Sequence, residues 1–292
     1  MKIIAKKTAT ITEILLEEFG SASKTKIKKL ITSGSIRLEN GKAIKKLETI
    51  IEKGQTLEYI KYKDTSNKPR APYNVVFEDD YFVAVIKPAG VLTHGDTGKR
   101  NISLLNVMND YVKEESRGKK RAFIIHRLDR EVSGIILLAK SEEMMQLMKA
   151  NWQDTEKLYY ALIEGHPEVE EGTIKSWLKE GAYQIMMSVP ESEDAKYAVT
   201  HYRVLEKLKE HTLLEVKLET GRKNQIRVHF ADMGFPIVGD RRYGADDTFE
   251  RQIRLHAFSL SFTHPVTKQR ITLESKIPAN FLKLKEEDEK YK

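Results

Sequence analysis

Hydrophobic positions along the chain fall into three regimes. Over residues 11–19, ITEILLEEF, Ile11, Ile14, Leu15 and Phe19 recur at helical spacing, and Gly20 ends the run. A second helix follows at once. Ser23 caps it, KTKIKKLITS sets Ile27, Leu30 and Ile31 on one face against Lys24, Lys26, Lys28 and Lys29 on the other, and Gly34 supplies a left-handed exit. SIRLENGKAI then turns at Asn40-Gly41, the pair best suited to a tight hairpin, and Thr56 to Tyr62 reads as a closing strand. From Lys61 to Pro72 the apolar period disappears, and two prolines with several turn formers give the composition of a flexible linker. The pattern predicts a helix-helix-hairpin unit over residues 1–62, a linker over 63–72 and a second domain over 73–292.

The third regime is rich in strands. VVFEDDYFVAVIKPAGVLTH reads as two strands joined across Glu78, Asp79 and Asp80, then broken by Pro88 and Gly90. Asn101 is placed to cap a helix over 102–112, with 113–120 as an exposed loop; Ser141 is placed to cap another through Met144, Leu147 and Met148. KLYYALIEG, 157–165, is a strand whose adjacent tyrosines point to opposite faces. Residues 168–195 are acidic and loop-rich, with one strand near 183–189. Further strands are expected at 198–205, 212–218, 255–262 and 269–273. A helix over 223–233, stopped by Gly234 and Pro236, interrupts them, and a last helix starts near Pro278. Many strands with few interleaved helices imply an α+β core on a mixed, largely antiparallel sheet.

Charge sharpens the division. Residues 1–70 hold 16 Lys or Arg against 8 Asp or Glu, so the remaining residues carry about −1 of the net +7. A basic front end joined to a near-neutral body suggests a polyanion-binding module beside a domain that does the chemistry, although a lysine-rich solvated face would look the same. The chain has no cysteine, which excludes thiolate catalysis and cysteine-ligated metals. No apolar run approaches the roughly 20 residues that span a bilayer, and the N-terminus lacks a signal-peptide pattern, so a cytoplasmic protein is expected.

Candidate chemistry centres on HRLDREVSGIILLAK, 126–140. Asp129 lies between Arg127 and Arg130 on a loop feeding the buried strand Ile135–Ala139. A cleft carboxylate beside positive charge stays ionised and is a candidate catalytic group. On this stretch alone, a surface salt-bridge cluster is the simpler reading.

Other stretches remove that ambiguity. FEDDYFVAVIKPAGVLTH, HRLD followed by SG and AK, KLYYALIEG, TGRKNQIRVH, GFPIVGDRRYG and LHAFSLSFTHP occur in the order in which RluA-type pseudouridine synthases carry them, over roughly residues 73–276. The body of the chain closely resembles that family. The front unit resembles, over roughly 10–62, a small RNA-binding module named after a small-subunit ribosomal protein. The resemblance implies isomerisation of uridine to pseudouridine in RNA, without cofactor or metal, by a monomer. Asp129 would act at the glycosidic bond, Arg227 would pair with it, and Tyr159 would stack on the base or act as a base. Arg127 would enter the RNA stack as the uridine flips out, and His126, Arg222 and Gln225 would contact substrate. One acid suffices for this reaction because the leaving base is recaptured, whereas hydrolytic glycosidases need a second carboxylate.

The appended module implies large-subunit ribosomal RNA first and transfer RNA second, read by shape and charge because lysine lacks the arginine fork. Val132 stands where threonine is common, and Lys223-Asn224 replace a usual Thr-His; neither change is expected to touch the acid, the tyrosine or the arginine. Competing readings are a metal-dependent hydrolase built on His94, Asp96, His126 and Asp129, a kinase suggested by HRLD alone, and a catalytically dead RNA-binding factor. The first lacks a recognisable ligand spacing, the second lacks a glycine-rich loop and a DFG, and the third leaves Asp129, Tyr159 and Arg227 unexplained.

Overall fold

The computed structural model describes residues 2–20, 22–32, 34–59, 71–95, 103–246, 252–279 and 281. The chain packs as two compact units, Met1–Lys68 and Pro69–Lys292. Residues 61–70 of the expected linker, Asn101, Asp96 and most of the helix expected from Pro278 lie outside the described residues.

In the first unit, β1 (Lys2–Ile4), β2 (Ala9–Thr10), α1 (Ile11–Glu18), α2 (Lys24–Thr32), β3 (Ile36–Leu38), β4 (Ile50–Ile51) and β5 (Thr56–Tyr59) follow in order. Thr10 and Glu13 form a reciprocal capping box on α1, and the Ser23 hydroxyl accepts from Lys26 N at 3.3 Å on α2. Gly34 takes φ +73 at the exit from α2, as its position requires. Ile11, Ile14, Leu15, Ile27, Ile31 and Leu57 share one core, while Lys24, Lys26 and Lys28 are exposed. The hairpin turns on Gly41, φ +80, but its return is a single bridge, Arg37 to Ala43, rather than a strand. The unit also includes β1, which pairs with β5, as β3 does; KII is too short for a period-2 signal.

The second unit carries β6 (Val75–Glu78), β7 (Phe82–Lys87), α3 (Leu104–Glu115), β8 (Phe123–Ile124), β9 (Ser133–Ala139), α4 (Glu142–Ala150) and β10 (Glu156–Glu164). These are followed by β11 (Glu171–Glu180), β12 (Met186–Val189), β13 (Lys196–Lys207), β14 (His211–Leu218), α5 (Gln225–Asp232), β15 (Leu255–Thr263) and β16 (Arg270–Glu274). Among the described residues these strands form one mixed sheet in the order β12-β11-β13-β14-β10-β15-β9-β7-β6, with β16 beside β15 and β8 beside β9. Pairing is antiparallel except between β15 and β9. At that seam Gly134 takes φ +131, and a Cβ there would lie 2.3 Å from the Ala257 carbonyl oxygen, so glycine is required.

β9 is buried on both faces. Ile136 and Leu138 pack with α3 through Leu104 and Met108, and Ile135 and Leu137 pack with α4 through Met144 and Met148. Leu147 of α4, expected in the apolar stripe, is exposed. Three other expectations are corrected. Ser103, not Asn101, caps α3 by accepting from Asn106 N, and α3 continues to Glu115 because Tyr111 and Val112 extend its buried face into the stretch read as loop. Residues 171–180 form a full strand; its alternation of half-buried and exposed positions in an acidic context hides it from a hydrophobicity reading.

Candidate active site

The loop between β8 and β9 presents Asp129, and the segments packed beneath it fix its path. Thr93 Oγ1 donates to Leu128 O at 2.6 Å and accepts from Leu128 N at 3.2 Å. Lys87, with no exposed surface, donates to the carbonyls of Pro88, Val91 and Arg130 at 3.1, 2.8 and 3.2 Å. Burial lowers its pKa to about 8, against the opposing charges of Glu131 and Asp129. Gly90 N also donates to Arg130 O at 2.7 Å. The KPAG turn and the HRLD loop are thus one hydrogen-bonded block.

Asp129 opens onto a cavity of about 160 Å³ whose walls include Arg127, Val132, Tyr159, Arg222, Gln225 and Arg227. The Asp129 side chain is 23% exposed, and its Oδ2 stands 3.9 Å from Arg227 Nη1. Burial raises the Asp129 pKa despite the opposing pull of Arg227 and Arg127. The sequence expectation is that Asp129 stays ionised beside positive charge; Arg227 and Arg127 favour that charge, and burial opposes it.

Arg227 is anchored elsewhere. Its Nε and Nη2 donate to Asp240 Oδ2 and Oδ1 at 2.6 and 2.7 Å, a bidentate pair with Asp240 only 1% exposed. Nη1 donates to Asn224 Oδ1 at 3.1 Å, and the guanidinium lies 4.8 Å from the Tyr243 ring centroid. Burial opposes its charge, but Asp240 and then Asp129 more than offset this, so its pKa is held above the ordinary value. Asn224 adopts φ 53 at the start of α5, and its Nδ2 donates to Tyr243 Oη at 3.0 Å. The Lys223-Asn224 pair was expected to leave the arginine untouched; Asn224 contacts it directly. Asp240, Asn224 and Tyr243 are the residues that sequence reasoning missed. The GDRRYG motif containing Asp240 and Tyr243 was the available signal.

Tyr159 reaches the cavity because β10 alternates: Tyr159 joins the core on the cavity side, and Tyr160 stacks on Phe258 with ring centroids 3.8 Å apart. The β10–β15 register shifts between Leu158 and Tyr159, an irregularity of the kind that re-aims side chains beside active sites. Burial and the Asp129 charge raise the Tyr159 pKa, so the phenol is neutral at physiological pH and is no ready source of phenolate.

Two expected substrate contacts are spent inside the protein. His126 Nε2 accepts from Leu137 N at 3.0 Å, its ring stacks on Trp152, and burial with Lys157 nearby lowers its pKa to about 3. It does not line the cavity, and it locks the start of the motif to β9. Gln225 lines the cavity but is buried, with Nε2 donating to Val199 O and Thr200 Oγ1 and Oε1 accepting from Thr220 Oγ1 and Arg222 N. All four of its hydrogen-bonding positions are occupied, which clips the TGR turn to β13. Arg127 and Arg222 are exposed at the cavity, with Arg222 Nε donating to Tyr197 O at 3.0 Å.

Among the described residues no three His, Asp or Glu side chains gather as metal ligands. His126 commits its Nε2 to a backbone amide, so the metal-hydrolase grouping has no support from it. Also among the described residues, no helix is long and apolar enough to cross a membrane.

An ionisable acid beside a buried arginine and a neutral tyrosine is suited to a reaction that develops positive charge on a sugar. Comparison with known proteins agrees. Residues 81–232 match the family model described as RNA pseudouridylate synthase. A Synechocystis sp. protein called an uncharacterized RNA pseudouridine synthase is 31% identical over 284 residues, covering 92% of this chain and 86% of that one. Ribosomal large subunit pseudouridine synthase D of Zymomonas mobilis is 29% identical over 274 residues, covering 88% and 86%. The solved human RNA pseudouridylate synthase domain containing 4 shares the fold, with TM-score 0.61 and 24% identity over 72% of this chain and 90% of that one. Motif order, sheet and cavity converge with these matches: the chain belongs to the RNA pseudouridylate synthase family and is an RNA pseudouridine synthase, an isomerase.

Proposed function

We propose that this enzyme is of the RluA type and modifies uridines in large-subunit ribosomal RNA, with transfer RNA as the second candidate. Relatives such as that of Zymomonas mobilis carry the ribosomal large subunit in their names, and similarity over 88% of the chain supports the transfer. The observation that carries the mechanism is the Asp129–Arg227 pair in a cavity shared with Tyr159. The target uridine is flipped out of its stack into the cavity, because the reacting atoms are inaccessible within one. Ionised Asp129 meets the sugar as the bond from C1′ to N1 breaks, either attacking C1′ or stabilising its positive charge. The uracil turns, C5 bonds to C1′, the C5 proton leaves and N1 gains a proton, so atoms and charge balance without redox change. Arg227, fixed by Asp240, orients Asp129 and favours its ionised form against the opposing effect of burial. Tyr159 packs against the base as a neutral phenol. Arg127, exposed at the cavity edge, fills the gap left in the RNA stack, and Arg222 contacts the backbone.

The first unit, with Lys24, Lys26, Lys28 and Lys29 on its second helix, is read as an RNA-binding module of the ribosomal-protein-like type; the side chain of Lys29 lies outside the described residues. It supplies salt-dependent affinity to a cytoplasmic, monomeric enzyme that works without a cofactor. The test uses purified protein with transcripts of large-subunit ribosomal RNA and of transfer RNA labelled with tritium at uridine C5. Release of tritium from the ribosomal transcript by wild type and not by Asp129→Asn is expected. Release from transfer RNA alone would reassign the substrate, and release from neither would remove this reading.

A further inference from the structure

The turn joining β11 to β12 carries a feature that the reaction at Asp129 does not use. Gly181 N donates to Ile185 O at 2.8 Å, closing a tip of Ala182, Tyr183 and Gln184, all exposed. Tyr183 is 90% exposed, the highest exposure of any large hydrophobic or aromatic side chain among the described residues. Tyr183 and Gln184 both take left-handed backbone angles, φ 57 and φ 58, which non-glycine residues seldom adopt and which persist only where surrounding contacts impose them.

Those contacts come from the 240–246 segment and from the cavity wall. Arg242 Nη2 donates to Tyr183 O at 2.6 Å, and Met186 N donates to Tyr243 Oη at 3.1 Å. Lys223, a cavity-lining residue, pairs with Glu180 at 2.6 Å, just before the tip. Tyr243 in turn lies against Arg227, which faces Asp129. Of these three tethers, the one through Lys223 reaches a residue that lines the cavity, and the one through Tyr243 reaches a residue that contacts the lining Arg227 and Asn224. The backbone is held by exposed Arg242 while the aromatic ring is left in solvent, and exposed Lys223 is tied to Glu180 three residues before it. An ordinary surface tyrosine needs neither the constrained backbone nor the tethers. A fixed, solvated aromatic face with cations around it is the arrangement by which proteins hold single-stranded nucleotides, each base stacking on a ring while cations follow the phosphates.

We propose that the Tyr183 ring is a stacking platform for a nucleobase flanking the uridine that enters the cavity. The proposal rests on the RNA-substrate reading and adds a specificity element to it. Because every base has a π-face, the platform contributes affinity and orientation for an unpaired neighbour rather than a choice of base. It acts before the chemistry, so it governs binding of the RNA and not the rate once the RNA is bound.

The test compares wild type with Tyr183→Ala, Tyr183→Leu and Tyr183→Phe in the full chain. One arm measures binding of a fluorescently labelled oligouridylate decamer by anisotropy across a salt series. The other measures KM and kcat for pseudouridine formation on a large-subunit ribosomal RNA transcript. Tyr183→Ala and Tyr183→Leu are expected to weaken decamer binding by about 5- to 150-fold, the range typical of one lost base–aromatic stack. The salt slope should be unchanged, since no cation is removed. Tyr183→Phe should restore binding, and KM should rise in the alanine variant with kcat preserved. Equal decamer affinity in wild type and Tyr183→Ala overturns the proposal, as does rescue by leucine, which would indicate bulk rather than stacking. A wild-type enzyme inactive on the ribosomal transcript refutes that substrate while the decamer arm still decides the role of Tyr183.

Discussion

Replacing Asp240 by asparagine tests how the site is held. The substitution preserves shape but leaves the Arg227 guanidinium, almost entirely buried, without the carboxylate that binds it at 2.6 and 2.7 Å. Breaking a buried pair by removing one partner costs about 3–5 kcal/mol, because the remaining charge is uncompensated. For a unit of this size, with each kcal/mol moving Tm by about 2–4 °C, the expected loss is about 6–20 °C. Arg227 then has Asp129, 3.9 Å away, as the nearer carboxylate and is drawn toward it. Displacement of a catalytic group by an ångström costs about 10²-fold in rate, so kcat should fall by that order. Thermal denaturation and single-turnover pseudouridine formation, run on Asp240→Asn, Arg227→Met and the double variant, separate the two effects. The double variant should recover much of the lost Tm, since no orphaned charge remains, yet stay inactive. Asp240→Asn with Tm within about 2 °C of wild type and unchanged kcat would refute the claim that Asp240 anchors Arg227.

Three further outcomes follow from the same structure. The raised pKa of Asp129 means that the folded state holds its proton more tightly than the unfolded chain does, so its stabilising contribution is present below the ordinary carboxylate pKa and is lost as pH rises. Asp129→Asn should therefore melt at or above the wild-type Tm at pH 7 while losing activity; a clear fall in Tm would show that the ionised acid stabilises the fold. His126, His229 and His256 have pKa values lowered by burial to about 3, 4 and 4, so the stability they contribute is complete above about pH 6.5 and drains away as pH falls toward 4, by about 1.4 kcal/mol per unit for each. A Tm equal at pH 7 and pH 5.5 would contradict this. Deleting residues 1–62 should weaken RNA binding and, if Lys24, Lys26 and Lys28 each neutralise one phosphate, flatten the salt slope by about 2.7, with activity on a short saturating substrate retained; loss of all activity with an intact core would count against that division of labour.

The parts of the fold legible in sequence were those with a strong local signal. α2 announced itself through Ser23, its isoleucine stripe and Gly34, and β9 through an unbroken apolar run. β11 was not legible because a strand with one half-buried face in an acidic segment resembles a loop. In the site, Asp129, Tyr159 and Arg227 were found by motif and converge on one cavity. Motif membership does not show which residues of a motif also bond within the protein, as His126 and Gln225 do. Both sit in motifs, yet His126 accepts a β9 amide and Gln225 is saturated by β13 and the TGR turn. Asp240 was invisible as a partner because it lies 13 residues beyond Arg227 and meets it only after α5 reverses through Gly234 and Pro236. The net direction of the Asp129 pKa depended on burial, which no local sequence pattern records.

The central claim is that Asp129 drives uridine isomerisation in ribosomal RNA. Its most direct test is nucleotide-resolution mapping of pseudouridine in total RNA from cells lacking the gene, complemented with wild type or with Asp129→Asn. The account predicts that a site in large-subunit ribosomal RNA disappears in the deletion and returns with wild type but not with the variant. Full restoration by Asp129→Asn, or no site that depends on the gene, would contradict it.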